Sequence, residues 1–299
     1  MSIKEFSAIM MVCMIWGLHF VVIKLIVNSV SEPLFYSAMR ISIVAIILLP
    51  KLKWHKGQMR PLLIAALAYG GFNYAFMFPA LRLTTASAAA ISIELFVPFS
   101  IILSIFIFKD KIGLIRSGGI LLALSGVAII ALAGPTEAAG PYFWLGVFMV
   151  ACAAMSEAVG ANCVKLISGI KPLELLAWFA LIGSFVLWPL SFILEDNQLN
   201  AFSAENRNTF FLGLIYSALL VSILAHGLYY WLLQRLPIYI VATSGLLTAV
   251  FGMGGAILLL KEPFTGSLFF GAVLTLLGVG LILWRNNRTA VPPVENISA

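Results

Sequence analysis

The sequence predicts an all-α membrane protein in which ten transmembrane helices form two inverted five-helix repeats around a central cavity. Three observations predict it. Ten apolar runs follow one another with short breaks, and a hydrocarbon core about 30 Å thick takes roughly 20 helical residues per crossing. Hydrophobic residues make up 62% of the chain and charged residues only 10%, against about 25% charged in a soluble domain. A stretch of the first half also recurs in the second.

The runs lie near 6–27, 34–50, 61–81, 85–108, 114–133, 142–167, 172–194, 209–234, 238–260 and 264–284. The first is longer than a signal-peptide core and has no small-residue cleavage site, so it is read as a mature span. The second is short, which fits a tilted helix or one extended at its start. Breaks carry Pro, Gly or charge, as at Ser31-Glu32-Pro33, Gly134-Pro135, Lys171-Pro172 and Leu236-Pro237, where helices stop and turns begin. The longest connection, Glu195 to Asn208, is polar. Pro79 and Pro98 fall inside runs and can bend a helix or free a carbonyl.

The repeat has a shift of 152 residues, which takes Lys109 to Lys261. At that shift Ala90, Ser92, Leu95, Phe99, Gly119 and Gly126 meet Ala242, Ser244, Leu247, Phe251, Gly271 and Gly278, and Asp110 meets Glu262. Matches among apolar residues are cheap; the Lys-acid pair falling at the shift of the glycine and serine matches is less so. Repeats of this length point to transporter architecture. The boundaries expected are 1–135 for the first repeat, 136–288 for the second and 289–299 for a disordered tail.

Orientation follows from the basic residues. With the N-terminus inside, the cytoplasmic segments hold thirteen of the Lys and Arg residues and the outer segments only Arg82, Arg207 and Lys261. Both termini are therefore expected in the cytoplasm. Five spans per repeat then thread the second half from the opposite side, and the substrate site of such a fold lies near mid-bilayer between the halves. The net charge of +6 is spread between the spans rather than gathered on one face, so nucleic acid is not an expected partner. Cys13, Cys152 and Cys163 stand singly inside apolar runs and read as small buried hydrophobes rather than as metal or redox groups. No cofactor is expected, and no catalytic set or phosphate loop is present.

Candidate binding residues are the polar groups at mid-span. Glu94 lies about ten residues into its run, near mid-bilayer at 1.5 Å per residue. An ionised carboxylate facing lipid there costs on the order of 2.5–3.5 kcal/mol or more. It is either a cavity group taking an ammonium or a proton, or a buried structural acid. Glu157, beside Ser156 and near Asn162, invites the same two readings. His19 and His226 are also mid-span, and histidine changes charge most easily near neutral pH; a packed hydrogen-bonding histidine is the plainer alternative. Trp16, Asn73, Tyr74 and Tyr230 are candidates to line a wide cavity, though Tyr and Trp equally favour the interface belt. Lys24 and Lys165 stand at corresponding points of the halves and read either as helix-end anchors or as substrate contacts. Arg40 is deeper, and a structural ion pair is the default. The small-residue clusters at Gly70-Gly71, at Ala86 to Ala90 and at Gly252, Gly254 and Gly255 read as close helix packing, with the sliding or bending surfaces of a gate as the alternative.

Taken together, Trp16-Gly17-Leu18-His19-Phe20, Lys24, Pro33 and Arg40 resemble the opening of the EamA family of the drug/metabolite transporter superfamily. The Lys109-Asp110 and Lys261-Glu262 pairs, each before a Gly-containing helix, are similar to that family's repeat ends. Asp110 departs from the family's usual Glu, and the second half has Glu157-Ala158 near the place of the Trp-Gly pair. Within the family, the ten-span pattern resembles the YddG-type amino-acid exporters. The resemblance implies two five-helix halves working by alternating access in the bacterial inner membrane, with amino acids or similar metabolites as substrate and no covalent chemistry. Proton exchange is a separate expectation. Carriers of nucleotide sugars, sugar phosphates, drug cations or organic acids, a membrane enzyme and an interaction subunit stay open as alternatives.

Overall fold

The computed structural model describes residues 2–110, 112–134, 140–233, 235–236 and 238–289, with only the backbone described at Tyr230, Leu233, Ile238, Tyr239, Ala242, Thr243 and 286–289. The expected repeat boundary at 135/136 lies outside the described residues, as do residues 290–299 of the expected tail, while its first residue, Thr289, closes the last helix.

Every regular element among the described residues is helical. The spans are α1 (Ile3–Ser29), α2 (Pro33–Lys51), α3 (Met59–Leu83), α4 (Ala86–Phe108), α5 (Leu114–Leu132), α6 (Phe143–Val164), α7 (Pro172–Leu194) and α8 (Arg207–Tyr229), then α9 (Ile238–Leu259) and α10 (Gly266–Thr289). All but α9 pass as membrane spans on their described residues, and α9 is 22 residues long. The last helix runs a turn past the apolar segment that defines it. Large apolar side chains such as Phe106, Leu132, Ile193 and Leu258 are more than three-quarters exposed on the outer surface, as a lipid-facing wall requires.

The starts and stops follow from local chemistry. Ser2 and Glu5 form a reciprocal cap on α1. Pro33 opens α2, and the next two amides, of Leu34 and Phe35, donate to the carboxylate of Glu195, at 2.6 and 2.8 Å. Thr85 caps α4 through Ala88 N–H, while the buried Glu262 carboxylate accepts from the amides of Ala86 (2.7 Å) and Ser87 (2.9 Å) and from Ser87 Oγ. These carboxylates offset helix-terminal donors that lipid cannot satisfy. Lys24 Nζ donates to the carbonyls of Leu81 and Thr84 at the end of α3, tying α1 to that end.

Backbone features recur at the 152-residue shift. Lys109 and Lys261 both adopt the left-handed conformation, φ 58° and 55°. The amides that follow reach back to Ser104 O and Ala256 O across the closing turn, a C-terminal cap of the kind usually built with glycine. α3 and α8 each contain a π-helical segment, Leu67–Phe72 and Tyr216–Ala225, and the 152-residue shift carries one onto the other. Helix pairing follows the same rule: α5 packs on α10 and α2 on α7, α1 packs on α9 as α6 does on α4, and α1 on α8 as α6 on α3. Close crossings use the small residues. A Cβ on Gly183 would fall 2.3 Å from Gly70 O, and one on Gly252 would fall 2.7 Å from the Cβ of Ala90.

Candidate functional site

A cavity of about 460 Å³ opens between the halves, walled by α1, α2, α3, α4, α6, α8, α9 and α10. Seven of the eight residues singled out from the sequence line it: Trp16, His19, Asn73, Tyr74, Glu94, Glu157 and His226. Tyr230 follows α8 directly, in the helical stretch His226–Leu233, and its side chain lies outside what is described.

Local irregularity positions these groups. Glu94 lies in a 3-10 turn, Ile93–Leu95, that interrupts α4. Pro98, four residues on, has no N–H to donate to the Glu94 carbonyl, so the α-helical ladder cannot close there. In α3 the π-helical segment ends at Phe72, immediately before Asn73 and Tyr74. In α8 the corresponding segment ends at Ala225, before His226. Each π segment rotates the residues after it relative to those before it. Single π insertions recur at functional sites.

The two acids differ in their partners. Glu157 Oε2 accepts from Asn73 Nδ2 at 3.4 Å, and the same amide donates to Ala153 O at 2.9 Å. Glu94 makes no hydrogen bond or ion pair among the described residues. Both are partly exposed, and both line the cavity. A pairing of either acid with His19 or His226 is not found within 4.0 Å among the described residues, where the ion pairs are His55–Glu174 and Arg82–Glu32, both near helix ends.

Trp16 is fixed by its indole N–H on Val221 O (3.4 Å) and by rings of His226 and Tyr229 at 5.1 and 5.2 Å. His226 Nδ1 stands 3.0 Å from Val221 O, five residues back along the π turn. His19 is buried, with Tyr216 beside its ring at 5.9 Å, and neither ring nitrogen has a partner.

Arg40 corrects an expectation. Its sequence position favours a structural ion pair, yet no carboxylate of a described residue lies within 4.0 Å of it. It is 3% exposed, lines the cavity, and lies over the faces of Tyr74 and Phe78 at 5.2 and 5.8 Å. Tyr69, Ser244 and Thr248 also reach the wall and were not anticipated. One signal was available: the shift that aligns Lys109 with Lys261 also aligns Phe96 with Thr248 and Tyr69 with Val221, all four in the wall. Cys13 and Cys163 are buried and Cys152 half-buried, none of them in a disulfide. The arrangement offers carboxylates, imidazoles and an aromatic wall to a small amphiphilic solute, and its polar groups are spread around the cavity rather than converging on one reacting atom.

Comparison with known proteins places the chain. The model of the EamA-like transporter family matches residues 4–132 and 144–284. A probable amino-acid metabolite efflux pump of Escherichia coli is 31% identical over 298 residues, covering 95% of this chain and 98% of its own. A protein of the same description in Salmonella typhimurium is 30% identical, covering 97% of this chain and 99% of its own. A protein of known crystal structure superposes with a TM-score of 0.63 at 14% identity, over 97% of this chain and all of its own; that likeness is one of fold.

Proposed function

The chain belongs to the EamA-like transporter family and is a multi-pass membrane transporter, not an enzyme; from that premise we propose that it exports amino acids or closely related small metabolites across the bacterial inner membrane by alternating access. The observation that carries the reading is the placement of Glu94 and Glu157 in one cavity between the halves. Intramembrane carboxylates cost free energy wherever they are not used, and two of them suit a substrate that brings an ammonium group. The aromatic wall of Trp16, Tyr74, Phe78 and Tyr229 suits the apolar side chain of such a solute. Two relatives described as amino-acid metabolite efflux pumps support the same class.

Alternating access draws support from the helix pairing. In α5 and α10 the contacts Gly119–Gly278 and Gly126–Gly271 run in opposite chain senses, as counterpart helices of an inverted repeat do. Both termini are assigned to the cytoplasm on the basic-residue bias. Proton exchange at Glu94 or Glu157 would supply a driving force. The test is direct. Proteoliposomes holding the purified protein should release preloaded amino acids from a mixed panel faster than empty vesicles. Release no faster than that control across the whole panel removes the substrate class, and insensitivity to an imposed pH gradient removes the proton.

A further inference from the structure

Among the described residues Arg40 is the cation buried in the cavity wall, and its charge is unanswered. Arginine stays protonated in proteins and presents five N–H donors in a planar fork. Among the described residues the fork makes one hydrogen bond, from Nη2 to Ser222 Oγ at 3.0 Å. Ser222 Oγ in turn donates to Ser217 O at 3.0 Å within the π segment of α8. Nε is buried with no partner. The faces of Tyr74 and Phe78 hold the guanidinium in place but answer it only in part. An uncompensated charge inside a bilayer is expensive, so its position is best explained by an anion that arrives and leaves. His19, with both ring nitrogens unpartnered, stands in the same wall.

We propose that Arg40 is the carboxylate-recognition residue of the cavity, binding the α-carboxylate of the substrate while Glu94 and Glu157 take its ammonium group. This assignment rests on the amino-acid reading above and sharpens it: the cavity selects for a carboxylate and not simply for an amine. A planar guanidinium carries the parallel donors that a carboxylate accepts. The tether through Ser222 ties that recognition to α8, on the half opposite α2. Loading the anion therefore acts on a contact between the halves.

Four probes share one aromatic body and differ only at the polar groups: phenylalanine, phenylalaninamide, phenethylamine and 3-phenylpropionate. Their binding to the purified full-length protein is titrated in detergent by thermal stabilisation. Phenylalanine should bind at least about tenfold more tightly than phenylalaninamide. R40K keeps the charge but loses the planar fork, so it should shrink that preference without abolishing it, and R40Q should bring acid and amide to within about threefold of each other. S222A leaves the charge in place and loosens its tether, so it should weaken the preference without abolishing it. That variant and the wild-type panel decide the matter where R40Q does not fold. The assignment is overturned if the wild type binds the amide or phenethylamine as tightly as phenylalanine, if R40Q keeps the preference, or if neither carboxylate binds. Binding of 3-phenylpropionate without phenylalanine would uphold Arg40 and sink the amino-acid reading. Amino-acid efflux with no preference for the acid would do the reverse.

Discussion

Gly119 of α5 and Gly278 of α10 meet backbone to backbone: a Cβ on either would fall 2.7 or 2.5 Å from the other's carbonyl oxygen. Gly126 and Gly271 repeat the contact further along, at 2.5 and 2.7 Å. The 152-residue shift takes Gly119 to Gly271 and Gly126 to Gly278, so it exchanges one crossing for the other. In lipid, where apolar burial gives helices no net drive to associate, such close approach supplies the packing energy.

G119A should therefore destabilise the protein by about 1–3 kcal/mol through overpacking. Its neighbour is the control, because a Cβ on Gly118 meets nothing within 4 Å. Denaturation in detergent of G119A, G118A and wild type measures the difference; helix propensity alone would stabilise both variants, so a G119A no less stable than G118A would show that the crossing does not set the effect.

Glu262 ties the end of α9 to the start of α4 through three donors. E262Q keeps the size of the side chain but replaces a charged acceptor with a neutral amide. The expected loss is about 1.5–3 kcal/mol, because buried hydrogen bonds to a charged group are the strong ones. A thermal midpoint unchanged from wild type would show that the carboxylate is not what holds the α4 N-terminus.

The cavity acids should matter for transport more than for folding. Glu94 has no protein partner among the described residues, so E94Q removes a carboxylate from the cavity wall without breaking a bond there. Flux of amine-bearing substrates should fall at least about tenfold, with little change in thermal midpoint. E157Q should lower flux likewise and also weaken the contact with Asn73 Nδ2. Wild-type flux in both variants would take the carboxylates out of the site.

Exposed Lys53 and Lys261 report topology. In a background lacking Cys13, Cys152 and Cys163, K53C should react with an impermeant maleimide only from the cytoplasmic side and K261C only from the opposite side. Reaction of both from one side would end the inverted arrangement.

The sequence alone determined that this chain is a bundle of membrane helices, roughly where each begins and ends, and which polar groups sit too deep to face lipid. Those properties are local: apolar length, Pro and Gly breaks, and a repeated Lys-acid pair can be read along the chain because the bilayer imposes one thickness on every span. The same logic picked out Glu94, Glu157, His19 and Trp16, since a polar group at mid-depth must turn inward. What only the tertiary structure decided is which of them share a space and what stands opposite each. The π segments of α3 and α8 reset the facing of Asn73, Tyr74 and His226, and no periodicity in the residues announces that rotation. Arg40 shows the limit most plainly: a depth can be counted from the sequence, but that Arg40 meets Ser222, 182 residues away, and no carboxylate of a described residue depends on how the helices come to lie together.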